Sequence, residues 1–129
     1  MWTAILGLLT TADAAGPVVG PVDIGRYDGH AYAFVDQMLT LAEAEAACAL
    51  IGGALAQVDT AEELWWLHDR VHGGPRLNGS AWSWIGSSKL SPIAGPAVLQ
   101  YAWDRTVQRA FVSVQAVDRH KPICERVIR

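Results

Sequence analysis

Leu39–Leu64, LTLAEAEAACALIGGALAQVDTAEEL, is the stretch whose reading decides the fold. Thr40-Leu41-Ala42-Glu43 has the form of a capping box. The threonine hydroxyl can accept from the backbone N–H three residues on, and the glutamate can reach back to the threonine N–H. Leu41, Ala44, Cys48 and Ile51 then recur at helical spacing. They predict a helix with an apolar stripe, Glu43 and Glu45 facing water. Gly52-Gly53 supplies a left-handed stop. ALAQV, residues 54–58, reads as a short strand. Thr60-Ala61-Glu62-Glu63 reads as a second capping box, followed by the stripe Leu64, Leu67 and Val71. Gly73-Gly74-Pro75 ends that second helix. Cys48 therefore sits on a core-facing stripe, as a structural anchor.

Working outward, HAYAFVD at 30–36 alternates, with Tyr32 and Phe34 on one side, and predicts a strand. GPVVGPVDIGRYDG at 16–29 is rich in Gly and Pro and reads as an irregular lead-in. Downstream, AWSWIG alternates Trp82 and Trp84. SSKLSPIAGPA is a loop, VLQYAWD and RAFVSVQAV are strand candidates, and HKPICERVI is the last strand. Helices come first and strands follow, so the expected class is α+β with an antiparallel sheet.

The chain has 129 residues, which suits one domain, and 51% of them are apolar, enough for a single core. The formal net charge is -3 with no basic run, which argues against nucleic acid as a partner. MWTAILGLLTTADAA at 1–15 holds a short apolar block and the small-x-small triplet Ala12-Asp13-Ala14, the pattern of a signal peptide. Export is the expectation, with a secreted or extracytoplasmic destination. No run is long enough to span a membrane. The expected division is thus a signal peptide at 1–15, a lead-in at 16–26 and one domain at 27–129. The two cysteines, Cys48 and Cys124, form either one disulfide or two separate core thiols. A bond between them would close a loop over most of the chain, worth roughly 4–5 kcal/mol in the chain-entropy account.

Several of these pieces resemble the C-type lectin-like domain family. YDGHAYAFVD is similar to its opening strand. The stretch 40–64 is similar to its first helix, Gly-Gly turn, short strand and second-helix start. Trp84-Ile85-Gly86 resembles its central core motif, and KPICER at 121–126 its closing strand. The resemblance implies two helices flanking antiparallel sheets, with the N- and C-terminal strands paired. It also implies a disulfide between the first helix and the last strand, here Cys48–Cys124. The family's Glu-Pro-Asn, Gln-Pro-Asp and Trp-Asn-Asp calcium motifs are not in this sequence; Ala102-Trp103-Asp104 is the nearest echo. The region between Gly86 and Ile123 is short, as in a compact member with a cut-down long loop.

Candidate chemistry is sparse. Asp104 and Asp118 are the only acids between Trp84 and Cys124, too few for a tight calcium site, so they read as solvated loop acids. His68 and His72, in HDRVH, share a helix face as in zinc helices, but a histidine also suits a helix C-terminus electrostatically. A small metal-dependent enzyme built on them is the last of the readings. Ser87-Ser88-Lys89 lies in no nucleophile motif. Asn78-Gly79-Ser80 is a glycosylation sequon. Of the six tryptophans, Trp84 belongs to the core, and the adjacent Trp65 and Trp66 can hardly both be buried. Trp103 with Asp104, Arg105, Arg109, Asp118, Arg119 and His120 lies where the family resemblance places ligands. An aromatic centre with a polar rim is the composition of an interface, or of a pocket for an anion. The expected function is non-catalytic binding of a protein or a carbohydrate, without calcium and without a cofactor. The protein reading leads, because no planar amide pair is placed to grip vicinal hydroxyls.

Overall fold

A computed structural model of the chain describes residues 21–73 and 82–128. The expected signal peptide, residues 16–20 of the lead-in, and the sequon at Asn78 lie outside the described residues.

Thr40 starts helix α1, Leu41–Leu50, with both halves of its capping box formed. The Glu43 amide donates to Thr40 Oγ1 at 3.3 Å and the Thr40 amide donates to Glu43 Oε1 at 3.0 Å. The helix stops as the sequence predicts, with Gly52 at φ 89°. Helix α2, Ala61–Val71, starts at Thr60, whose hydroxyl accepts from the Glu63 amide. The second box forms only by half. The Glu63 carboxylate passes over Thr60 to accept from the Asp59 amide and from the Tyr32 hydroxyl. Tyr32 is fully buried, and its hydroxyl needs an acceptor more than the exposed Thr60 amide does.

The strands are β1 (Val22–Tyr27), β2 (His30–Phe34), β3 (Ala54–Leu55), β4 (Trp82–Trp84), β5 (Ala97–Gln100), β6 (Phe111–Ser113) and β7 (Lys121–Val127). Their spatial order is β1-β2-β7-β4-β5-β6, with β3 also on β7. The opening strand of the domain pairs with the last along its whole length, from His30 opposite Val127 to Phe34 opposite Ile123.

Three expectations need correction. Part of the segment read as a lead-in is strand β1, joined to β2 by a two-residue turn with Asp28 and Gly29 both at positive φ. That Asp-Gly pair is a strong hairpin signal, because such turns match the twist of the strands they join. The sheet is not wholly antiparallel, since β4 runs parallel to β7. RAFVSVQAV is a strand only over Phe111–Ser113, entered through a 3₁₀ turn at Val107–Ala110.

The sheet is buried on both faces. Along β2, Ala31, Ala33 and Val35 face α1, while Tyr32 and Phe34 face α2. The alternation seen in the sequence is thus small against large, not apolar against polar. Cys124 faces α1 and bonds to Cys48, with Cα atoms 5.4 Å apart, so the two cysteines form one disulfide. Trp84 is fully buried, and its indole N–H donates to the Leu39 carbonyl at 2.7 Å. Ile85 turns to the α2 side. Gly86 is required by contact: a Cβ there would lie 3.0 Å from the Leu55 carbonyl oxygen. Its amide instead donates to Ala56 O at 2.8 Å, joining the end of β4 to the chain after β3.

Candidate functional site

Helix α2 turns Leu64, Leu67 and Val71 into the core and leaves Trp65, Asp69 and Arg70 at its outer faces. Trp66 is locked into the scaffold between Tyr27 and Tyr32, each ring 5.3 Å away, with Arg70 4.2 Å over its face. Trp65 takes the other direction, and with it the candidate side of the helix begins.

His68, only 2% exposed, is the floor of that side. Its Nε2 accepts from the Ala102 amide at 2.9 Å. An amide can only donate, so Nε2 is unprotonated and Nδ1 carries the proton toward Asp69 Oδ1, 2.9 Å away. Asp69 in turn accepts a bidentate contact from Arg105, 2.9 Å at Nη1 and 3.2 Å at Nη2. Those Arg105 hydrogen bonds, with help from His68, hold the Asp69 carboxyl below its ordinary range, and the same contact raises Arg105. Arg105 is also 4.7 Å over the Trp65 ring. It holds a positive φ of 54°, a conformation uncommon for a residue with a side chain.

Two aromatic rings rise from this floor. Tyr101, 49% exposed, stacks on His68 at 5.5 Å and 17°. Trp103 is 68% exposed, with Arg109 5.5 Å over its ring. Arg109 Nε donates to Asp104 at 3.1 Å, and Asp104 also accepts from the Thr106 amide. A cleft of about 330 Å³ opens between His68, Asp69, Gly73, Tyr101, Trp103 and Arg105.

The seven ligand residues expected from sequence divide here. Trp103, Asp104, Arg105 and Arg109 gather at and beside the cleft. Asp118 closes a turn by accepting from the Gln115 amide, and Arg119 reaches Glu43 Oε1 at the start of α1, 2.8 Å away. His120 packs edge-on against Trp82 and Trp84, at 5.4 Å and 5.0 Å, and burial lowers its pKa despite Asp118 nearby. Gln100 links the two groups, accepting from Trp82 Nε1 and donating to the Arg109 carbonyl. Each of Arg105, Arg109 and Arg119 already has a carboxylate partner, so the expectation of an anion pocket loses its ground.

The sequence reading missed Asp69 and Tyr101. Tyr101 had a usable signal, since Tyr101-Ala102-Trp103 places two aromatics on one side of a buried alanine. Asp69 had none. The zinc reading of HDRVH fares poorly: both nitrogens of His68 are occupied by protein groups, and His72 Nε2 is 3.0 Å from Ser83 Oγ. Among the described residues, no group of three His, Cys, Asp or Glu side chains is placed to hold a metal.

A larger open groove, about 780 Å³, runs past His30, Gly53, Gln57, Ser87 and Glu125. Its polar groups are tied to one another: His30 Nδ1 lies 2.7 Å from Glu125, and the Gln57 amide also donates to that carboxylate. Tyr, Trp and Phe are absent from its described lining, so the smaller cleft is the better candidate.

Comparison with solved structures decides the fold. The chain has the C-type lectin-like fold. It matches EMS16, an antagonist of the collagen receptor integrin alpha2beta1, at 16% identity and a TM-score of 0.61, over 79% of this chain and 94% of that one. A calcium-independent type II antifreeze protein matches at 19% identity and a TM-score of 0.60, over 85% and 95%. The C-type lectin CEL-I from Cucumaria echinata matches at 15% identity and a TM-score of 0.62, over 78% and 91%. No protein-family model and no curated protein matches the sequence. The Cys48–Cys124 staple and the Trp84-Ile85-Gly86 segment beside β7, with Trp84 and Ile85 buried, are parts of this chain's C-type lectin-like fold. Among the described residues, no helix is long and apolar enough to cross a membrane.

Proposed function

We propose that this C-type lectin-like domain is an exported, non-catalytic binding module that recognises a protein or glycan ligand at the corner around Trp103, without calcium. The observation that carries the reading is Trp103 itself, two-thirds exposed and braced by Arg109 instead of by a core. Aromatic and arginine side chains held ready in this way are the usual anchors of recognition surfaces, because little conformational freedom is lost when a partner arrives. A non-catalytic role is supported by the ion pairing of the acids and arginines at the cleft, and by the burial of Ser83 and His72, whose 3.0 Å contact lies out of reach of a substrate. Calcium independence is supported by the same pairing, since Asp104 is engaged with Arg109 and Asp118 with its own turn. The disulfide supports an oxidising destination outside the cytoplasm.

The test is a pull-down from the native surface or envelope fraction with wild type and Trp103→Ala, run beside a glycan array with calcium and with chelator. Loss of capture or of array signal in Trp103→Ala is the expected result, with chelator making no difference. Equal recovery by the variant removes the site. A chelator-sensitive signal removes calcium independence.

A further inference from the structure

We infer that the cleft between Tyr101, Trp103 and the Asp69–Arg105 pair docks a proline-rich segment of a protein partner in the extended polyproline conformation. The inference rests on the proposed binding face and names the kind of segment that it takes.

The first support is hydrogen-bonding capacity. The strong side-chain acceptors of the cleft are nearly all engaged. Asp69 Oδ1 accepts from His68 Nδ1 and from Arg105 Nη1, each at 2.9 Å, and Oδ2 accepts from Arg105 Nη2 at 3.2 Å. His68 Nε2 is filled by the Ala102 amide. Donors, by contrast, are left over. A guanidinium has five N–H donors. The bidentate contact uses two of those on Arg105, a half-exposed side chain. The indole N–H of Trp103 has no partner among the described residues, and the ring stands at the surface. An ordinary peptide brings one N–H with every carbonyl, and those N–H groups would find few acceptors here. Proline keeps the carbonyl and has no N–H. A run of prolines thus supplies acceptors to the free donors and asks for none in return. The second support is electrostatic. An acidic segment would have to displace Asp69 from Arg105, and a basic one Arg105 from Asp69. Uncharged proline residues displace neither.

The third support is shape. Tyr101 is fixed by stacking on His68, and His68 is fixed by Ala102 and Asp69. Trp103 is backed by Arg109. The two rings flank the buried Ala102 and both line the cleft. Aromatic walls of this kind are what polyproline segments dock on, since the pyrrolidine ring packs on an aromatic face and the segment is extended before it binds. Neither side then loses much conformational freedom on association. The cleft, about 330 Å³, is at the small end of ligand sites. It suits about one turn of a polyproline helix, roughly three residues.

The experiment titrates the isotope-labelled full chain with capped decaproline and with a capped Gly-Ser peptide of equal length, followed by heteronuclear NMR. The Trp103 indole N–H resonance is assigned by its loss in Trp103→Phe, and affinities of the variants are read from the backbone amides around Ala102. A saturable shift of the Trp103 indole is expected with decaproline and not with the Gly-Ser peptide, and added salt should leave it unchanged. Trp103→Phe keeps an aromatic ring and removes the N–H, and should weaken binding roughly threefold. Trp103→Ala should weaken it about tenfold or more. No saturable shift with decaproline, equal affinity for the two peptides, or unchanged affinity in Trp103→Ala each overturns the inference. If decaproline does not bind while partner capture is still lost in Trp103→Ala, the proline-rich class falls and the binding face stands. If capture ignores Trp103→Ala as well, both fall.

Discussion

The two faces of the sheet are held by different means. Where α1 meets β2 the contacts are small: Ala31 and Ala33 from the strand meet Ala44 and Ala47 from the helix, and a disulfide joins Cys48 to Cys124. On the α2 face they are large: Tyr32, Phe34, Leu64, Leu67 and Ile123 interlock, and the helix is held without a covalent tie. A face of alanines lets helix and sheet approach closely but removes little apolar area per residue, so a covalent tie has most to add there. Bulky side chains hold a helix without one. The helix they hold also carries surplus: Trp65, His68 and Asp69 extend past the core and become the cleft. The stapled face holds the scaffold together, and the packed face carries the cleft proposed for recognition.

Breaking the staple should give the largest effect. The double variant Cys48→Ser/Cys124→Ser is expected to lose roughly 4–5 kcal/mol of unfolding free energy, read by denaturant titration. On the opposite face, Leu67→Ala should cost about 2–5 kcal/mol in the same assay, through the cavity it leaves. A cost near zero there would mean that packing does not hold α2.

Glu63→Ala sharpens the contrast between the two helix starts. It strands the buried Tyr32 hydroxyl, at about 1–3 kcal/mol, whereas the matching glutamate of α1 serves only its own cap and the exposed Arg119. Equal losses for Glu63→Ala and Glu43→Ala would show that Tyr32 finds another acceptor.

Glu125 gives the α2 face a pH signature. Burial raises its pKa above the ordinary 4.5, the Gln57 amide and His30 oppose that shift, and Glu63 adds to it. The folded state therefore holds this proton to higher pH than the unfolded chain does. The contribution is fully present below pH 4.5 and is lost as pH rises through the folded pKa. Stability of wild type measured against pH should fall over that interval relative to Glu125→Gln; parallel curves would show that burial of Glu125 is relieved. The smallest effect on stability is expected from Trp103→Ala, within about 0.5 kcal/mol, because the ring is mostly outside the core. The same variant that leaves the melting curve unchanged is the one expected to abolish binding.

The scaffold was more legible in the sequence than the site, for a physical reason. Thr40, the Leu41–Ile51 stripe and Gly52 act within one helix, so their spacing carries the information, and the structure has that helix. The resemblance paired Cys48 with Cys124 because whole segments stood in a familiar order. The hairpin turn at Asp28-Gly29 was equally local and was passed over for the Gly-Pro character around it. The parallel contact of β4 with β7, by contrast, depends on where the chain returns after β5 and β6, and no pattern in Trp82–Trp84 encodes it. The cleft is of the same kind. Asp69 and Arg105 are 36 positions apart, and nothing in either stretch says that they meet. Trp103 was singled out because it is one of six tryptophans and lies where the family resemblance places ligands. Asp118, Arg119 and His120 were grouped with it by chain region, but Asp118 closes its own turn, Arg119 reaches α1 and His120 packs on β4.

The bond from Cys48 to Cys124 spans 76 positions and so makes a closed ring of all the backbone that carries β4, β5 and the cleft. A single proteolytic cut in those loops would open the ring without releasing a fragment. A clipped molecule would still migrate as one chain until reduced, and could go on presenting Trp103 after the damage.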